Sequence, residues 1–197
     1  MDLESAGHFI FDKLQKELPS TLHYHSIDHV KDVLDASIRI AAGEGVNGED
    51  LELLKTAAMF HDSGFTVRGK DHEEIGCDIA RSILPGFGYQ EEQITRICGM
   101  IMATKIPQTP YSHLEEILGD ADLDYLGRED YWQISHFLFL EINESTHLDD
   151  LSWLRLQISF LEQHRYFTKS VIKDRREKKH THLIELRQNL AELVNKS

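Results

Sequence analysis

Residues 57–65 read AAMFHDSGF. An apolar helix end runs straight into two polar side chains, His61 and Asp62, and then into a Ser63-Gly64 turn. Adjacent side chains on a helix point ~100° apart, yet beside a helix terminus both can reach one ion lying off the end. An imidazole and a carboxylate together suit a borderline-to-hard divalent cation. The same pair would also serve as a plain exposed helix end, so the rest of the chain has to decide between the two.

Outward from this stretch, nearly every segment carries helical periodicity. Glu49 to about Asp62 places Leu51, Leu54, Ala58, Met59 and Phe60 inward. Before it, Leu3–Leu18 stops at Pro19, and Asp28 is the expected N-cap of a helix to Ala42 with a stripe of Val30, Val33, Leu34, Ile38 and Ala41. After it, Asp71 caps a helix to Leu84, closed by Pro85-Gly86, and Gln90–Ala103 forms the next. His113–Leu118 reads as a short helix, with Ala121–Leu126 resuming after a break. Glu129 to about Glu144, Asp149–His164 and Thr168 to about Val194 complete the series. Period-two alternation is almost absent. The expectation is an all-α fold of roughly eight to ten helices, one unit over 1–197.

Length and composition agree with that reading. The 197 residues are 41% hydrophobic and 28% charged, enough for a core without staples. Against 21 Lys and Arg stand 34 Asp and Glu, a net charge of −13. Such a field disfavours long nucleic acids and anionic membranes as partners, and an anionic substrate would need a local positive centre. No window approaches ~20 apolar residues, and no basic, then apolar leader opens the chain. Two cysteines, Cys77 and Cys98, make no disulfide framework. These features lead us to expect a cytoplasmic protein.

Twelve histidines are the compositional oddity. His29 stands one turn before Val33 on the same helix face, at the edge of the core. His23 and His25 precede it in the polar connection. Downstream, GDADLDYLG carries Asp120, Asp122 and Asp124. Helical geometry forbids all three from facing one way, and an acidic helix terminus is the plain alternative. One histidine, a His-Asp pair and a later aspartate supply four N/O ligands without a thiolate. That set suits Mn, Fe, Co, Mg or Zn with positions left for water.

The order His29, then AAMFHDSG with His61-Asp62, then DADL with Asp122 resembles the HD-domain superfamily of metal-dependent phosphohydrolases. The resemblance covers about residues 23–127 and leaves 128–197 as additional C-terminal helices. It implies an HD-like helical bundle with His29, His61, Asp62 and Asp122 as metal ligands, and Asp120 and Asp124 as flanking acids. In KDHEEIG (70–76) members of the superfamily often carry a histidine or glutamate that serves a second metal or the substrate phosphate. His72 is therefore a candidate proton donor beside Asp62, and Glu73 a candidate substrate contact. Thr104-Lys105 stand where two-metal relatives place a histidine, a departure that counts against a full two-metal site. Lys105 and Arg128 are candidate phosphate contacts. The basic run Lys173–Lys179 reads as a solvated helix face.

The expected activity is hydrolysis of a phosphoester in a nucleotide or related small molecule by a metal-activated water. No glycine-rich phosphate loop and no Gly-x-Ser-x-Gly elbow is present, which disfavours a Walker-type NTPase and an α/β-hydrolase. Two alternatives stay open: a di-iron oxygenase on the same fold, and a nucleotide-sensing or partner-binding module without activity.

Overall fold

The computed structural model describes residues 1–196, and every regular element among them is helical. In chain order these are α1 (Leu3–Glu17), α2 (Ile27–Glu44), α3 (Gly48–Phe60), α4 (His72–Ile83), α5 (Glu91–Ala103), α6 (His113–Asp122), α7 (Tyr131–Thr146), α8 (Asp150–Gln163) and α9 (Lys169–Lys196). Short 3₁₀ turns at Ser63–Thr66, Leu84–Phe87 and Asp124–Gly127 join them. The all-α expectation holds. The two pieces expected around residues 113–126 are instead one helix, α6, followed by a 3₁₀ turn.

Local chemistry explains the helix limits. Asp2, Ser26, Ser112 and Asp149 each accept a bond from the backbone N–H three residues on, the usual N-cap arrangement. Ser26 therefore caps α2, two residues earlier than the expected Asp28. Gln90 and Gln93 form a reciprocal box at the head of α5. Gly45, at φ +76°, ends α2 in the left-handed conformation that glycine adopts freely.

α3 is the centre of the bundle, packed by α1, α2, α4, α5 and α6. From Leu53 onward nearly every side chain of it is buried, the pattern of a helix surrounded on all sides. The buried stripe of α2 is His29, Val33, Ala36 and Ile40 with Val30, Ser37 and Ala41. Ile38, expected inside, is 37% exposed. The stripe is rotated because the face that carries His29 is the one turned to α3. Each fully buried Leu, Ile or Phe of this core contributes ~1.5–3 kcal/mol.

The C-terminal helices build a second layer. α8 packs along α9, and α9 lies on the Asp124–Gly127 turn and on α2. Gly127 is required there: a Cβ would lie 2.5 Å from the Arg175 carbonyl oxygen. The basic run of α9 is not simply solvated. Arg175 bonds Asp124 at 2.8 Å, Lys178 pairs with Glu129 at 2.7 Å, and Lys179 donates to the His164 carbonyl at 2.6 Å. No helix among the described residues is long and apolar enough to cross a membrane.

Candidate metal centre

Three separate elements deliver four donors to one point. His29 comes from the first turn of α2, which the Ser26 cap orients. His61 and Asp62 follow the end of α3, where the chain leaves the helix. Asp122 is the last residue of α6. His29 Nε2 lies 3.2 Å from Asp122 Oδ1, 3.5 Å from Asp62 Oδ2 and 3.4 Å from His61 Nε2. His61 Nε2 lies 3.2 Å from Asp62 Oδ2 and 3.7 Å from Asp122 Oδ1. Ligand atoms of His29, His61 and Asp122 all fall within 4.8 Å of one another.

The donor set fits a divalent cation on its own chemistry. His61 Nδ1–H donates to the Ala58 carbonyl at 2.7 Å, which leaves Nε2 as the lone-pair nitrogen turned to the cluster. Asp62 Oδ2 is fully buried and has no hydrogen-bond partner. A buried carboxylate oxygen left unsatisfied costs ~1–3 kcal/mol or more, and a cation at this point removes that cost. Without one, burial alone would lower the His61 pKa, but the Asp62 carboxylate raises it to about 9. Burial likewise works to raise Asp62, and the His61, His25 and His29 imidazoles instead hold it well below the usual carboxylate range.

The loop that carries Asp62 is clamped onto α4. A Cβ on Gly64 would lie 1.9 Å from the His72 carbonyl oxygen. Only glycine permits this approach, and Asp71, at φ +56°, turns the chain into α4 beside it. The result sets His72 Nε2 3.5 Å from Asp62 Oδ1 and 3.5 Å from Glu73 Oε1. His72 Nδ1–H donates to Gly69 O at 3.0 Å, and its ring packs 4.2 Å from that of Phe65.

His25 stands on the other side of Phe65, ring to ring at 4.1 Å. Glu141, on α7, takes the His25 ring Nδ1 in a hydrogen bond and accepts the backbone N–H groups of Tyr24 at 2.8 Å and His25 at 3.0 Å. Burial opposes the charged form of His25, yet Glu141 and the nearby acids raise its pKa. Sequence reasoning placed no function on His25 or Glu141. The histidine was visible as part of a His-rich connection, but nothing in the chain pointed to a partner on α7.

The structure thus gathers His29, His61, Asp62, Asp122, His72 and Glu73. It does not bring Lys105 or Arg128 to them. Lys105 is hydrogen-bonded to Glu74 and lies 3.7 Å from Asp71. Arg128 makes a two-pronged pair with Asp32 at 2.8 and 2.9 Å and another with Asp130 at 2.9 and 2.7 Å. Asp120 and Asp124 turn away from Asp122. Asp120 accepts from the backbone N–H of Phe167 and Thr168 and from the Thr168 hydroxyl. Asp124 binds Arg175 and Arg39.

A cavity of about 270 Å³ opens over the cluster. Asp62, Asp122, His25, His72 and Glu73 line one end, and side chains of α7 and α8 line the other.

Comparison with known proteins places these elements in one family. The HD domain family profile matches residues 26–123, from the Ser26 cap to the end of α6. Among solved structures, Bacillus subtilis YpgQ in complex with ADP superposes with a TM-score of 0.67 at 21% identity, over 98% of this chain and 97% of that one. A predicted HD superfamily hydrolase from an uncultured Thermotogales bacterium gives 0.63 at 22% identity, over 94% and 92%. Curated protein sequences give no significant match. With His29, His61-Asp62 and Asp122 converging inside the matched segment, the chain belongs to the HD-domain superfamily.

Proposed function

We propose that the chain is a metal-dependent phosphohydrolase that cleaves a phosphoester bond in a nucleotide or related small molecule. The observation that carries this reading is the convergence of His29, His61, Asp62 and Asp122, with an unpartnered buried Asp62 oxygen, beside a cavity that Asp62 and Asp122 line. These four residues would hold one divalent ion, Mn, Fe, Co, Mg or Zn. Such an ion, when bound, supplies a water of lowered pKa and a positive centre for a phosphoryl oxygen.

The chain's own residues do the rest. Asp62 has a second oxygen, Oδ1, turned towards His72, so it can orient a water as well as ligate. His72 keeps Nε2 uncommitted to the backbone and lines the cavity, where it hands a proton to the departing ester oxygen. Glu141 holds the His25 ring from the side, which leaves His25 Nε2 for a phosphoryl oxygen. Burial of this end of the cavity strengthens each of these contacts over its value in water. The ADP held by the YpgQ structure supports a small phosphorylated molecule as the ligand class.

The test is a hydrolysis screen over phosphate monoesters, nucleotides and cyclic nucleotides with each candidate metal. A His61→Ala/Asp62→Ala protein is the control. Metal-dependent turnover that the control lacks is expected. Oxygen consumption by iron-loaded protein without ester cleavage would favour the oxygenase reading instead.

A further inference from the structure

A pair of thiols that the metal centre does not use lies in the core. Cys77 of α4 and Cys98 of α5 are the two cysteines of the chain, 2% and 4% exposed. They meet where α4 packs on α5. Cys77 Sγ lies 3.4 Å from the Cys98 carbonyl oxygen, and Cys98 Sγ lies 3.7 Å from the Cys77 carbonyl oxygen. Each sulfur thus reaches the other residue's own backbone. This reciprocal approach turns the two side chains inward across the helix crossing, the placement that a disulfide needs.

The two thiols are unequal. The Cys77 thiol beside it holds the Cys98 thiol below its ordinary pKa, and Arg81, one turn beyond Cys77, pulls the same way against burial. The Cys98 sulfur and burial push the Cys77 thiol up. One thiol ionises more readily and its protonated neighbour is in reach to resolve it.

The first turns of α4 connect this pair to the cluster. Glu73, one turn before Cys77, lines the cavity with His72 and Asp62. Gly76, next to Cys77, seats α4 on the end of α3: a Cβ there would lie 3.3 Å from the carbonyl oxygens of Phe60 and His61. The sulfurs of a disulfide stand about 2.0 Å apart, closer than any non-bonded contact. Closing that bond draws α4 towards α5 and shifts it on its seat against His61.

We propose that Cys77 and Cys98 form a reversible disulfide, a redox modification site that loosens the metal centre through α4. The oxidant is a peroxide, small enough to enter a packed core. The Cys98 sulfur attacks one peroxide oxygen; the S–O bond forms, the O–O bond breaks, and the departing oxygen takes the thiol proton and leaves as water. The Cys77 sulfur then attacks the Cys98 sulfur. The S–S bond forms, the S–O bond breaks, and hydroxide leaves with the Cys77 proton as a second water. The two electrons that the thiols lose reduce the peroxide, and an added dithiol reverses the change.

The test uses folded, metal-free full-length protein treated with hydrogen peroxide, which is removed before Mn²⁺ is added. Free thiols should fall from two to none, intact mass should fall by two hydrogens, and a peptide joining Cys77 to Cys98 should appear. Groups that support metal ligands are worth ~10–100-fold in metal affinity, so Mn²⁺ binding by calorimetry should weaken about tenfold. Dithiothreitol, removed before titration, should restore it. Cys98→Ala and Cys77→Ala proteins should keep their Mn²⁺ affinity through the same treatment. Oxidised protein that retains both thiols, or carries stable sulfinic acid instead of the cross-link, overturns the modification site. A disulfide formed with unchanged Mn²⁺ affinity overturns its action on the centre. Reduced protein that binds none of the candidate metals overturns the metal reading, and the proposed action with it.

Discussion

His61 shows how one side chain is prepared for its task. Its Nδ1 proton is committed to Ala58, so Nε2 can only face the cluster as an acceptor, or as a second donor once protonated. Because Asp62 raises the His61 pKa to about 9 without a metal, a bound cation must displace a proton at neutral pH. The sign follows directly: below about pH 9 each unit of acidification weakens metal binding, by up to about tenfold per unit. Isothermal titration with Mn²⁺ between pH 6 and 9 checks this, together with proton release in buffers of different ionisation enthalpy. His72 is expected to behave differently. It touches Asp62 only at 3.5 Å and is not needed to complete the four donors. His72→Ala should retain its metal by elemental analysis and lose about 10²-fold in kcat on a confirmed ester. Unchanged kcat would remove His72 from the chemistry.

At the scale of an element, the end of α6 assigns three acids to three tasks. Asp120 lies within α6 and Asp124 in the turn beyond its end, and both are held by residues at or in α9, while Asp122 points elsewhere. Asp120 pins the head of α9 through three accepted hydrogen bonds. Asp124, 1% exposed, ties α9 to α2 through Arg175 and Arg39. Asp124→Ala leaves those partly exposed guanidinium groups without their buried partner and should cost ~1.5–3 kcal/mol in urea unfolding. Asp120→Ala leaves three donors unpaired and should cost a few kcal/mol, about 1–3 for each donor left unsatisfied. Asp122→Ala should cost little stability in metal-free protein and abolish tight metal binding. Comparable stability losses for all three would contradict the division of labour.

Over the whole molecule, buried apolar side chains form one continuous cluster from Ala6 in α1 to Leu186 in α9. We expect a single cooperative unfolding transition, seen as coincident loss of helical and aromatic circular dichroism signals. Truncation before Phe167 should abolish it, because that removes all three donors to Asp120 and the Arg175 partner of Asp124 together. The four proposed metal donors come from α2, the end of α3 and the end of α6. A cation bound only to the native state should therefore stabilise all of it, by about 2.7 kcal/mol at a hundredfold excess over Kd. Chelation should lower Tm and metal restore it.

The local information in the chain determined the helices, and resemblance named the candidate donors. Periods of 3.6, capping residues and proline stops act over a few residues, and the order His29, His61-Asp62, Asp122 was legible by resemblance alone. Small errors came where neighbours outside the local window decide. Ile38 faces out because α2 is turned by His29, and Ser26 caps the helix two residues before Asp28. Only the tertiary structure separated Arg128 and Lys105 from the cluster, since each is held by a carboxylate far away in sequence, Asp32 for Arg128 and Glu74 for Lys105. It alone joined His25 to Glu141 across 116 residues, and set Gln157 against Tyr131 and Ser135. Side-chain identity and short-range backbone geometry are written in sequence; which distant faces meet depends on how whole helices pack, and the cavity exists only between them.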